Sequence, residues 1–224
     1  MPRMSSSPLT RERILRAALR LVDGEGMDGL SMRRLGTRLG VKGTALYHHF
    51  ANKSEIIDAL VARVLSDVDL APEETNWVRR MRRIMQSQRE VMLKHPNLVS
   101  AIALRPFSSA EAATIHETMI EVLLSAGLDQ QTALHGYNAL RAFVVGYALT
   151  EMSGLTGDRR RSPDDGSLSL QQLSELGFSQ LLNMIPIAAR CNRTEDFLLG
   201  LEAIMSGLQA ESLRQSLRTG RKLD

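Results

Sequence analysis

Cysteine occurs once in the 224 residues, as Cys191. A lone thiol excludes an internal disulfide and suits a reducing compartment. No apolar run approaches the roughly 18 to 20 residues that a membrane-spanning helix needs, so no membrane role is expected. The opening MPRMSSSPLT has no apolar core of the kind a secretory signal carries. Aromatic residues are scarce, 4% of the chain, with one Trp, three Tyr and five Phe. Nucleophile–base pairs, paired inward carboxylates and glycine-rich phosphate loops are also missing, which weighs against a small helical enzyme or ligand carrier. No catalytic residue and no cofactor is assigned. A hydrophobic share of 43% beside 24% charged residues excludes general disorder. The length fits one large domain or two small ones, and a cytoplasmic protein is expected.

What the chain does have is an uneven charge. Residues 1–53 hold ten Lys or Arg against four Asp or Glu, whereas residues 54–224 hold eighteen against twenty-one. A basic first quarter joined to a mildly acidic remainder directs the small part toward a polyanion.

Hydrophobic period is helical almost throughout. Thr10 is placed to cap a first helix, with Leu9 stapling onto Ile14 and with Ile14, Ala18, Leu21 and Val22 on one apolar face, until the glycines of DGEGMDG stop it. Ser31 caps a second helix whose Leu35 and Leu39 face inward, and Gly40 ends it. Val41-Lys42-Gly43 then turns the chain into TALYHHF, and Asn52 caps a helix from Lys53 to about Leu70 through Ile56, Ile57, Leu60, Val61 and Val64.

Two short helices across a tight glycine-containing turn, after a supporting helix, form a helix-turn-helix pattern. Its outer inventory of Arg33, Arg34, Arg38, Lys42, Thr44, His48 and Lys53 combines fork donors for guanine edges with charges and hydroxyls for phosphates. A metal site on His48 and His49 is the rival reading. Neighbouring helical residues point about 100° apart, so the two rings do not share a face. No metal site is assigned.

Residues 10–60 resemble the N-terminal domain of TetR-family transcriptional regulators. The shared features are the paired alanines at Ala17-Ala18, the Gly26-x-x-x-Leu30-Ser31 step, Leu39-Gly40-Val41 and Leu46-Tyr47-x-His49-Phe50-x-Asn52-Lys53. The resemblance implies that KGTALYHH is a recognition helix in the major groove, with Lys42, Gly43 and Thr44 at base edges. It implies Tyr47 and His48 near the DNA backbone or a thymine methyl, His49 at the family's histidine position, and Lys53 at a helix N-terminus suited to phosphate. Arg33 fits a guanine contact. Lys42 and Thr44 depart from the family's usual small polar residue and glycine, so base preference belongs to this chain alone.

Beyond Thr75 the period gives a helix to Lys94, a break at His95-Pro96, a short helix to about Leu104 ended by Arg105-Pro106, and helices over 109–126 and 130–153. A polar loop over 157–167 follows, then a helix over 170–189 disturbed at Pro186, and a last helix over 195–217. The expected fold is all-α, an N-terminal three-helix helix-turn-helix domain over 1–53 and a larger helical ligand-binding and dimerisation domain over 54–224.

NWVRRMRRIM, ALRP, AFVVGYALTE and DFLLGLEAIMSGL resemble, in order, the effector domain of the tetracycline-repressor branch of that family. The family's magnesium-binding histidine would fall within Ser100-Ala101-Ile102 and its glutamate partner beside Thr150, so a magnesium–tetracycline ligand is not expected. An apolar cavity is expected instead, drawn from Trp77, Met81, Met85, Met92, Leu104, Phe107, Met119, Tyr137, Phe143, Tyr147 and Met184, with His116, His135 and Tyr137 as polar anchors. Small residues on the helix over 130–153 (Ala139, Ala142, Gly146, Ala148) and leucines on that over 195–217 (Leu198, Leu199, Leu201, Leu208, Leu213) lead to a homodimer through a four-helix interface. The function expected is a ligand-responsive repressor that binds a near-palindromic operator as a dimer and is released by a small, largely apolar effector.

Overall fold

Short polar side chains set the helix starts. In the computed structural model, which describes residues 8–105, 107–152, 169–188 and 190–219, the Thr10 hydroxyl accepts the Arg13 N–H at 3.2 Å and opens helix α1, Arg11–Gly29. The Ser31 hydroxyl accepts the Arg34 N–H at 3.2 Å and opens α2, Met32–Leu39, while the Asn52 carboxamide accepts the Glu55 N–H at 2.9 Å and opens α3, Lys53–Leu65. Each cap satisfies a helix-terminal donor that would otherwise lack a partner. The glycines interrupt α1 at Gly26, where φ is 74°, and one more turn follows before Leu30.

The remaining helices are α4 Trp77–Lys94, α5 Val99–Leu104, α6 Ala110–Ser125, α7 Gln130–Met152, α8 Leu170–Glu175, α9 Ser179–Ala188 and α10 Arg193–Thr219. Short 3-10 turns cover Gly43–His48 and Pro96–Leu98, and no strand occurs among the described residues. The chain is all-α, as its periodicity required.

The chain divides into two compact units, one of Met1–Thr75 with Arg83–Glu121 and one of Asn76–Arg82 with Val122–Asp224. In the first unit α1 packs on α2, on α3 and on the turn at Pro96–Leu98. Ile14, Ala18, Val22, Leu35, Leu46, Phe50, Ile56, Leu60 and Val61 form its buried centre. Asn97 donates to the Val22 carbonyl at 2.8 Å, His95 Nδ1 lies 3.1 Å from the Asp23 carboxylate, and the Arg105 guanidinium lies 2.6 Å from Asp58 on α3. In the second unit α7 packs against α10. Gly200 permits the approach, since a Cβ there would lie 2.7 Å from the Phe143 ring.

Three sequence expectations are corrected. Helix α3 ends at Leu65 rather than near Leu70: the Ser66 hydroxyl donates back to the Arg63 carbonyl, and the Asp69 carboxylate accepts the Ala71 N–H, so local side-chain bonds displace the helical ladder. The segment over 170–189 breaks at Gly177 (φ 80°) rather than at Pro186, because the Phe178 N–H closes α8 onto the Leu173 carbonyl. Pro186 sits inside α9, in its last turns, where fewer ladder bonds remain to be lost. Leu201 and Ala148, expected at the dimer interface, are buried within their own chain. The polar loop over 157–167 lies outside the described residues.

Candidate nucleic-acid interface

Helix α2 and the Gly43–His48 turn cross where two glycines meet. A Cβ on Gly36 would lie 2.9 Å from the Gly43 amide nitrogen, and one on Gly43 would lie 3.3 Å from the Met32 carbonyl and 3.6 Å from the Arg33 Cα. Gly40, with φ 70°, supplies the left-handed cap that bends the chain between them, and its N–H returns to the Gly36 and Thr37 carbonyls. This crossing brings the start of the turn, and so Lys42 and Thr44, beside Arg33 at the start of α2. Arg33, Lys42, Thr44, Tyr47 and His48 are exposed, whereas Leu46 and Phe50 are buried. The expected recognition helix is thus a tighter 3-10 segment: the Ala45 N–H bonds the Lys42 carbonyl three residues back.

His49 and Lys53 are half-buried, and Gly43 also is partly covered. Lys53 Nζ donates to the Met27 carbonyl at 3.2 Å, which ties α3 to the end of α1 and leaves two of its three protons for another acceptor. The His49 carbonyl accepts from Arg11.

Arg11 supports this surface structurally, a role its place in the sequence does not announce. Its guanidinium lies 4.0 Å over the Phe50 ring and 3.0 Å from the Glu55 carboxylate. Glu55 in turn accepts the Ala51 N–H at 2.6 Å. That backbone bond, followed by the Arg11 bond, holds the Glu55 carboxyl below its usual range. One signal was available: a basic residue in the first turn of a helix opposes the helix dipole, so it needs an acceptor elsewhere in the fold. On the other side of α2, Glu25 accepts from both Arg34 and Arg38.

The candidate effector side chains are distributed over both units. In the first, Met85 and Met119 are fully buried and His116 is half-buried with its ring 5.2 Å edge-on to Phe107, while Leu104 and Phe107 stand on the surface. In the second, Met81 and Tyr137 are buried and Trp77, Phe143 and Tyr147 half-buried. Burial pushes the Tyr137 phenol up from its ordinary value. Phe143, Tyr147 and Phe197 form one aromatic group with ring centroids 5.3 to 5.7 Å apart, and the Tyr147 hydroxyl donates to the Arg193 carbonyl at 2.8 Å. Of the further candidates, Met92 is buried, whereas Met184 and His135 are exposed. Ala101 is buried in α5, and the Thr150 hydroxyl donates to the Tyr147 carbonyl.

Comparison with known proteins gives two family matches along the chain. Residues 14–60 match the model of bacterial regulatory proteins of the tetR family, and residues 71–212 match that of the tetracyclin repressor-like C-terminal domain. An HTH-type transcriptional regulator of Saccharopolyspora erythraea is 31% identical over 144 residues, 64% of this chain and 61% of that protein, so this chain spans under two thirds of that relative. Tetracycline repressor protein class D of Escherichia coli is 27% identical over 209 residues, 91% of this chain and 90% of that protein. Among solved structures, Streptomyces coelicolor ActR in complex with actinorhodin is 31% identical with a TM-score of 0.73, covering 92% of this chain and 99% of that one. With a helix-turn-helix built as described and a family model spanning most of the remainder, the chain belongs to the TetR family and is a transcriptional regulator, not an enzyme.

Proposed function

We propose that this protein is a cytoplasmic, ligand-responsive repressor that binds a near-palindromic operator as a homodimer. The observation that carries the reading is the Gly36–Gly43 crossing, which brings Arg33 beside Lys42 and Thr44 on an exposed, basic surface. Residues 1–53 read the DNA: Arg33 and Lys42 meet base edges, Gly43 and Thr44 allow close approach at the entry of the segment, and Tyr47, His48, His49 and Lys53 hold phosphates or a thymine methyl. Residues 54–224 receive the effector and dimerise. Two recognition segments then lie about one helical turn apart, roughly 34–36 Å, as a two-fold operator requires.

The dimer reading is supported by the outer side of α10. Leu199, Ala203, Ser206, Ala210, Leu213 and Leu217 are all exposed and follow one another at spacings of four, three, four, three and four residues. That is the repeat of a helix-packing seam. The exposed Ala139 and Ala142 and the open Gly146 on α7 supply small residues for a second helix of a symmetric four-helix contact.

The effector reading is supported by the second unit's aromatic group and methionine, where Trp77, Met81, Tyr137, Phe143 and Tyr147 offer flat and adaptable apolar surface. ActR has been solved with actinorhodin, a likeness that favours a small organic effector for this chain as well. The effector releases the protein by preferring a conformation in which the two heads no longer match the operator spacing.

The test is selection of bound duplexes from a random-sequence library with the purified protein. A two-fold symmetric consensus that the full chain binds, and that Lys42→Ala binds with altered base preference, is the expected result. Recovery of sequences without any shared pattern would sink the operator reading.

A further inference from the structure

Helix α1 carries Arg13, Arg16 and Arg20 at positions i, i+3 and i+7, one side of a helix. They line a groove of about 720 Å³ whose far wall is Arg38 and Leu39 at the end of α2. Four arginines and no carboxylate line it. Two of the four arginines have a carboxylate beside them outside the groove, Glu12 for Arg16 and Glu25 for Arg38. Arg16 pairs with Glu12 at 3.4 Å with both side chains more than half exposed, so solvent screens the contact heavily. Arg13, in the first turn of α1, opposes the helix dipole. Like charges across a groove repel, and a bound polyanion relieves that repulsion.

Position gives the groove its meaning. Leu39 is followed at once by Gly40 and by the turn that carries Lys42. Arg38 also lines a second hollow, of about 480 Å³, with Leu21, Glu25, Arg33, Arg34 and Thr37; Glu25 accepts from Arg34 and Arg38 there, while Arg33 stays on the exposed side of α2. A path of guanidinium groups therefore runs from Arg33, through Arg38, to Arg20, Arg16 and Arg13. Guanidinium forks match phosphate oxygens two at a time and hold a backbone without reading its sequence.

We propose that the α1–α2 groove seats the phosphodiester backbone of duplex DNA outside the base pairs that the Gly43–His48 segment reads, lengthening the footprint of each protomer. This rests on the DNA-binding reading above and adds to it a sequence-independent contact surface on α1. A single phosphate or diphosphate offers the same chemistry, but the groove's continuity with Arg33 favours a strand over a small anion.

The experiment is fluorescence anisotropy of the full-length protein on a 40-bp duplex of random sequence, titrated at several KCl concentrations, comparing wild type with the Arg13→Gln, Arg16→Gln, Arg20→Gln triple variant. Each lost phosphate contact flattens the plot of log affinity against log salt by about 0.9. The triple variant is expected to lose roughly 2 to 3 from that slope per bound protomer and at least tenfold in affinity at low salt. Arg16→Gln and Arg20→Gln alone, both at exposed positions, each lose about 0.9 and serve if the triple variant does not fold. An unchanged slope in folded variants overturns the groove proposal while leaving DNA binding intact. No binding of any duplex by wild type overturns instead the DNA reading beneath it. Inorganic pyrophosphate is the control: thermal stabilisation by it that the triple variant loses, with the DNA slope unmoved, would assign the groove to a small anion and overturn the proposal.

Discussion

The Arg11 guanidinium lies 4.0 Å over the Phe50 ring while bonding the Glu55 carboxylate at 3.0 Å. One side chain from the first turn of α1 thus ties the end of the Gly43–His48 segment to the start of α3. A cation over an aromatic face contributes about 0.5–1 kcal/mol at an exposed site, and the half-exposed ion pair adds little. Arg11→Ala is expected to lower Tm by about 2–4 °C in a chain of this size. It should weaken duplex binding several-fold, because the recognition segment loses an anchor. Arg11→Lys restores little of either, since an ammonium group cannot lie flat on the ring and serve Glu55 and the His49 carbonyl together. Full rescue by lysine would show that charge alone matters at this position.

Glu55 gives this joint a pH signature. Its carboxyl is held down by the Ala51 N–H and then by Arg11, so the folded state binds a proton less readily than the unfolded chain. A depressed carboxylate contributes stability that is fully present above its ordinary value near 4.5 and is lost as pH falls through the folded value. Glu55→Gln should therefore melt below wild type at pH 7, and the two should converge in acid below pH 4.5. Melting curves at stepped pH check this, and a gap that stays constant into acid would count against the assignment.

The proposed base-reading and backbone-holding residues separate by their response to sequence. Lys42→Ala and Arg33→Ala should each cost roughly 1–3 kcal/mol on the selected operator and relax preference at particular base pairs. Lys53→Ala should weaken all duplexes alike and flatten the salt dependence, and it should also lower Tm slightly, because the bond from α3 to the Met27 carbonyl is lost while that carbonyl keeps the Leu30 N–H. Binding of each variant to a panel of single-base operator variants distinguishes the two behaviours. Identical profiles for all three would undo the division.

Local chemistry was legible in the sequence and distant pairing was not. Thr10, Ser31 and Asn52 cap helices because the donors they satisfy lie three residues away, and Gly40 bends the chain where its neighbours demand it. The end of α3 was misread because part of what replaces the helix comes from Ser87, whose hydroxyl accepts the Asp69 N–H from another helix. Arg11 was missed for the same reason: its partners lie 38 to 44 residues away. The leucines of the last helix do not by themselves tell which of them turn inward. The structure decides it: Phe197, Leu201, Met205, Ser212 and Ser216 face the chain's own core, and the Ser212 hydroxyl bonds the Ala126 carbonyl.

That assignment changes how dimerisation is tested. Leu201 is 0% exposed, so Leu201→Glu would bury a charge in the monomer and unfold it, revealing nothing about association. Leu213 is 53% and Leu217 84% exposed, on the outer seam of α10. A glutamate at either is hydrated in the monomer and desolvated without a partner only when a second copy covers the seam. One recognition segment alone touches few base pairs, and joining two makes the second contact intramolecular, which raises avidity by roughly a hundredfold or more. Leu213→Glu is therefore expected to keep its helical circular dichroism, halve its mass by light scattering, and bind the operator at least about a hundredfold more weakly, although residues 1–53 are unchanged. Leu201→Ala, in contrast, should lose about 2–5 kcal/mol of stability as a core cavity, with a dimer still forming from whatever fraction is folded. A folded Leu213→Glu protein that remains a dimer would move the interface off this seam, and a folded monomer with undiminished operator affinity would show that pairing is not what holds the protein on DNA.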